Sequence, residues 1–133
     1  SARVLPLPAA ETGGIGIHEH RCFGNWGEDA AAQYLEKQGY RIVARNYACA
    51  YGELDIIAQT KNTLVFVEVK SRRSLKFGRP AAAVTREKQV HLHRAAFVYL
   101  KEHPGFRGKI RFDIIEVLSL HETLNINHMQ ACF

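Results

Sequence analysis

The stretch from Gly52 to Lys70, GELDIIAQTKNTLVFVEVK, constrains this chain more than any other. Leu54–Ala58 and Leu64–Val69 have the β-branched and aromatic content of buried strands, and Gln59–Thr63 between them is polar turn material. Each run nonetheless carries a carboxylate, Asp55 in the first and Glu68 in the second. An ionised carboxylate among Ile, Val and Phe is costly unless it is paired, solvated or bound to a metal. A hairpin centred on Lys61-Asn62 would set Asp55 opposite Glu68 and Glu53 opposite Lys70, and residues so opposed have Cβ atoms about 5 Å apart. Two like charges at that separation require a cation. Period 2 puts Lys70 on the face of Glu68, Leu64 and Phe66, with Val65, Val67 and Val69 on the other. One lysine, however, does not neutralise two or three carboxylates. A hard divalent cation, Mg²⁺ or Mn²⁺, does, because it takes one or two carboxylates and completes its shell with waters and phosphates. Such an ion polarises a phosphoryl oxygen and lowers the pKa of a bound water, which is the chemistry of phosphodiester hydrolysis.

At 133 residues the chain has the size of one domain. Residues 1–23, rich in Gly, Ala and Pro, read as a mobile arm, 24–120 as the folded domain, and 121–133 as an unassigned tail. Within the domain, Asn25 to Gly39 reads as a helix with Asn25 as N-cap, Glu28 as its capping-box partner, and Ala31, Tyr34 and Leu35 on one face. Arg41–Asn46 is a short strand, followed by the two strands above. Thr85 to Lys101 is a second helix, with Leu92, Ala95, Ala96 and Tyr99 at core spacing. Lys109 to Leu120 closes the domain as a strand. The order is therefore α-β-β-β-α-β, an α/β fold with a mixed central sheet flanked by helices, the last strand returning through a helical crossover. No apolar run approaches the ~20 residues of a spanning helix, so no membrane partner is expected. Three cysteines, Cys22, Cys49 and Cys132, at no metal or disulfide spacing, fit a reducing cytoplasm.

Charge is concentrated. From Lys70 to Arg94 lie eight cations, Lys70, Arg72, Arg73, Lys76, Arg79, Arg86, Lys88 and Arg94, against the single Glu87. With a total of +5, the remainder is net acidic. A positive field placed directly after the strand that carries Glu68 marks a surface for a polyanion, and nucleic acid is the expected partner.

Asp55, twelve intervening residues, then Glu68-Val69-Lys70 in an apolar strand resembles the D…E-x-K site of the restriction-endonuclease-like (PD-(D/E)xK) nuclease superfamily. More closely, the chain resembles the YraN family of bacterial proteins, usually compared with archaeal-type Holliday-junction resolvases. The matching segments are Gly24 with Gly27-Glu28, Gly39-Tyr40, Asn46-Tyr47, Gly52–Ile57, Val65–Arg72, Gly78, Pro80, Lys88 and Arg111-Phe112-Asp113. The resemblance implies a restriction-endonuclease-like core and a metal-dependent endonuclease acting on DNA, branched DNA included. It further implies Asp55 and Glu68 as metal ligands, the Val69 carbonyl as a third, Glu28 completing the acidic cluster, and Lys70 as catalytic lysine. Leu54 stands where the superfamily's name places proline.

Each assignment has a structural counterpart. Glu28 also serves a capping box, and Glu53 serves as a salt-bridge partner of Lys70 or as an edge charge. Arg72, Arg73, Lys76, Arg79, Arg86 and Lys88 are placed for phosphate contact, as ordinary solvated cations also are. His18 to Cys22, HEHRC, has metal-ligand spacing but no second cluster to close a zinc site. Trp26, Phe77 and Phe106 suit base stacking or packing, and Arg111 is an available partner for Asp113. The rival functional class is a nucleic-acid-binding module that keeps the nuclease fold without cleaving. A homodimer would set two sites on a two-fold substrate.

Overall fold

The computed structural model describes residues 2–6, 17–73 and 84–133, with side chains described from Asn25 onward. In chain order the elements are β1 (Ala2–Pro6), α1 (Ile17–Lys37), β2 (Arg41–Cys49), β3 (Gly52–Thr60), β4 (Thr63–Arg72), α2 (Arg86–Glu102), β5 (Lys109–Leu120) and β6 (Thr123–Met129). Within them, α1 to β5 realise the α-β-β-β-α-β order. The described strands form one sheet in the order β1-β6-β5-β4-β3-β2. Only β4 and β5 run parallel, which is why the connection between them is the crossover through α2.

The sheet is buried on both faces, and the two helices divide them. On one face Ala31, Tyr34 and Leu35 of α1 pack on Val65, Val67, Ile115, Val117, Leu124 and Ile126. On the other, Leu92, Ala95, Ala96 and Tyr99 of α2 pack on Ile57, Leu64, Phe66, Phe112 and Ile114. The strictly alternating assignment of β4 is the reason: its even residues feed one core and its odd residues the other. Thr85 caps α2, its hydroxyl accepting from the Lys88 amide at 3.1 Å.

Three boundaries differ from the sequence reading. Helix α1 begins at Ile17, so Asn25 lies inside it and the capping box with Glu28 does not exist. The tail supplies β6 and the arm supplies β1, paired with it from Ala2↔Asn127 to Pro6↔Thr123. The β5–β6 hairpin turns through His121 (φ 48°) and Glu122 (φ 63°), two consecutive left-handed residues. A two-residue turn of that kind is ordinarily announced by Asn-Gly or Asp-Gly, and His-Glu announces nothing.

Candidate active site

The β3–β4 ladder runs from Thr60↔Thr63 to Ile56↔Val67, in the register that the Lys61-Asn62 turn dictates. It ends there. Where Asp55 would pair with Glu68, the Asp55 Oδ2 instead accepts a hydrogen bond from the Val69 amide at 2.8 Å. A side chain thus takes the place of the next backbone acceptor, and the strands part into a fork. The fork explains how both helical layers reach one point, since Glu68 lies on the α2 face while Glu28 comes from α1. Gly27 makes that approach close: a Cβ there would sit 2.5 Å from the Ser71 Cβ at the end of β4. The absent side chain lets α1 lie against the strand and brings the next residue, Glu28, to the site.

Glu68 is only 4% exposed. Its Oε2 faces Lys70 Nζ at 3.2 Å and Lys88 Nζ at 3.8 Å, whereas its Oε1 is buried with no hydrogen-bond partner. Burial, then the neighbouring Glu68 charge, push the Asp55 carboxyl up to about 8, and Glu28 adds to the effect while the Val69 amide opposes it. Glu28 is itself raised by burial, against the pull of Arg45 at 3.6 Å and with a push from Glu53 and Asp29. Its Oε1 likewise lacks a hydrogen bond. The molecule therefore holds adjacent carboxylates that cannot all ionise comfortably, with two lysines on one side only.

Asp55, Glu68, Lys70 and Val69 come together as the spacing predicts, Glu28 stands within electrostatic reach of Asp55, and Lys88 joins from the first turn of α2. Glu53 is exposed and acts on Glu28; the ion pair of Lys70 is with Glu68. Arg72, partly buried, and Arg73, exposed, end the strand, and exposed Arg86 opens α2. Lys76, Arg79 and Phe77 lie outside the described residues, as do the side chains of His18, His20 and Cys22. Trp26 and Phe106 pack against the two cores, in agreement with their structural reading. Glu116 is a buried residue that the sequence reading passes over, although a carboxylate within IIEV carries the same signal as Asp55.

The model of an uncharacterised protein family, UPF0102, matches residues 27–117. This chain belongs to the UPF0102 family, the YraN proteins of the sequence resemblance. A UPF0102 protein of Syntrophomonas wolfei is 46% identical over 114 residues, covering 86% of this chain and 99% of its own. One from Caldicellulosiruptor saccharolyticus is 47% identical over 115 residues, 85% of this chain and 98% of its own. A third, from Nocardia farcinica, is 44% identical over 119 residues, 88% and 93% of the two chains. The UPF0102 match begins at Gly27 and ends at Val117, so it contains Glu28, Asp55, Glu68, Lys70 and Glu116 together.

The fork suits a hard divalent ion by its donor chemistry. Asp55 and Glu68 offer adjacent oxygens, one of them buried and unpartnered, and an ion would relieve the repulsion that raises Asp55. Val69 points its amide into the fork, and in an extended strand a residue's carbonyl faces the same side. Among the described residues no three or more acidic, imidazole or thiol groups close around one ion position. Two carboxylates are, however, the common protein contribution to a Mg²⁺ site. No described helix is long and apolar enough to cross a membrane.

Proposed function

We propose that this UPF0102 protein is a Mg²⁺- or Mn²⁺-dependent endonuclease that hydrolyses phosphodiester bonds in DNA, branched DNA among its substrates. The observation that carries this reading is the Asp55–Glu68 pair in the strand fork, pushed toward sharing a proton and flanked by Lys70. Asp55 and Glu68 would hold the ion, with the Val69 carbonyl as a third ligand and Glu28 as an outer acid. Bound there, a divalent cation supplies Lewis acidity toward a phosphoryl oxygen and a more acidic water. Lys70 stands beside Glu68 where its ammonium group can orient the attacking water and balance charge developing on the phosphoryl oxygens. Lys88 reaches the same carboxylate from the start of α2, and Arg72, Arg73 and Arg86 extend the cationic border along which a phosphate backbone would run.

The test is cleavage of single-stranded, duplex, flap and four-way-junction DNA, and of RNA, with Mg²⁺ or Mn²⁺, wild type beside Glu68→Ala. Metal-dependent cutting that the variant loses supports the proposal, and the ranking of substrates names the preferred structure. Binding of these nucleic acids without cutting, unaffected by chelator, would replace the enzyme with a non-catalytic binding module. A two-fold substrate cut symmetrically would further call for a homodimer, which the mass in solution reports.

A further inference from the structure

Among the described residues, Glu116 is the buried carboxylate near the fork that the proposed chemistry does not use. It lies two positions beyond Ile114 on β5, on the face beneath α2, and its register partner on parallel β4 is Lys70. The side chain is 8% exposed and its Oε1 has no hydrogen-bond partner. No ion pair reaches it among the described residues, because Lys70 leans the other way, onto Glu68 Oε2. A buried carboxylate oxygen without a hydrogen bond has room for a donor, and Lys70 is the cation opposite it on the neighbouring strand.

The same lysine poses a problem for the site. Lys70 occupies the oxygen of Glu68 that faces it, so a divalent ion held by Glu68 meets an ammonium group only 3.2 Å from that carboxylate. Both are cations, and they compete. Lysine is a point charge on a flexible stem, and neighbouring strands are only about 4.8 Å apart, so its head can exchange one carboxylate for the next without moving the backbone. We propose that Glu116 is the receiving partner of Lys70: it takes the ammonium group when Glu68 is committed to a divalent cation, and so keeps Lys70 poised beside the reacting phosphate. Glu116 is in this sense a positioning residue acting through Lys70. Its own ligation of the ion is the less favoured geometry, since Glu116 is paired with Lys70 and lies only diagonal to Glu68 in the register. The inference rests on the metal reading above.

Calorimetric titration with Mn²⁺ alone, on wild type, Glu116→Gln, Lys70→Met and the double variant, tests it without any need for turnover. Lys70→Met should bind Mn²⁺ more tightly than wild type, having lost the nearer of the two lysines that compete for Glu68. Glu116→Gln should bind about fivefold or more weakly, a coupling of ordinary size between linked sites. In the Lys70→Met background the same Glu116→Gln change should alter affinity by less than about twofold, because the lysine that faces Glu116 across the register is gone. Glu116→Asp should recover part of the loss. The metal-free Glu116→Gln protein should melt at or above the wild-type temperature, since no partner is lost. An equal loss of affinity in both lysine backgrounds, or no loss in either, overturns the hand-over. Mn²⁺ binding by wild type without dependence on Glu116 sinks the hand-over alone, whereas absence of Mn²⁺ binding sinks the metal reading and takes the hand-over with it.

Discussion

Two aspartates on this sheet face opposite fates. Asp113, at 0% exposure, is the more deeply buried, and burial alone would raise it. Hydrogen bonds outweigh that and hold it below the ordinary carboxylate range: His128 Nε2 at 2.7 Å, Arg111 Nε at 2.9 Å and Nη2 at 2.8 Å, and the Ala131 amide at 3.0 Å. The network continues outward, with Arg111 donating to the Tyr40 hydroxyl at 2.7 Å. On the other side of the ring, His128 Nδ1 is hydrogen-bonded with the Tyr34 hydroxyl at 3.2 Å. Asp55, by contrast, receives one amide and faces another carboxylate, and it is raised to about 8. A charge whose donors are all present belongs to the architecture and joins α1, β5 and β6. A carboxylate with a single donor that faces a second carboxylate lacks that closure, and this is the feature on which the proposed cation site rests.

The largest way to break this contrast is Asp113→Ala. Removing the carboxylate strands Arg111 and His128 at a buried position, and denaturant unfolding should show a loss of about 3–5 kcal/mol. A loss below about 1 kcal/mol would mean that the network is ornamental. Next comes Glu68→Ala, which should leave the fold standing but reduce metal-dependent cleavage roughly 100-fold or more, at or beyond the top of the range that loss of a mere outer-shell partner of a metal costs. Retained cleavage would move the chemistry elsewhere.

The two aspartates also predict opposite pH dependences. Asp55 is raised above its ordinary value of 3.8, so the native state binds its proton more tightly than the unfolded chain does. Its contribution is full at pH below 3.8 and is lost as pH rises from there through about 8. Asp113 is lowered, so its contribution is full above the ordinary value and is lost as pH falls through its own lower one. Metal-free Asp55→Asn should therefore gain stability near neutral pH relative to wild type, on the order of 1 kcal/mol, and flatten the slope between about pH 4 and 8 in a series of thermal melts. An unchanged slope would contradict the repulsion between Asp55 and Glu68. The smallest effect belongs to Lys88→Ala, which should weaken nucleic-acid binding severalfold and reduce the salt slope by about one, read from titrations at several ionic strengths.

The meeting of Asp55 with Glu68 was legible because a two-residue turn at Lys61-Asn62 and an unbroken alternation through Leu64, Phe66 and Glu68 leave a single register, and register decides which carboxylates meet. The core of α2 followed from spacing in the same way. The parting of the strands was not legible, because it depends on one side chain replacing a backbone acceptor at Val69. Neither was β6: its alternation of buried Leu124, Ile126 and His128 is regular, but its turn uses His121 and Glu122 in conformations those residues seldom adopt. With β6 unseen, the partner of Asp113 was half hidden, since Arg111 is local in sequence and His128 is not. Asn25 suited a helix cap in composition, and only the continuation of α1 back to Ile17 removed that role and left Glu28 within electrostatic reach of Asp55.

The fork between β3 and β4 is the seat proposed for a divalent cation. Crystals soaked in Mn²⁺ and measured at a wavelength where manganese scatters anomalously test it most directly. An anomalous peak within ligand distance of the carboxylates of both Asp55 and Glu68 is expected, and Asp55→Asn crystals should lose it. A fork without a peak, or a peak seated instead on Asp113 and His128, would contradict it.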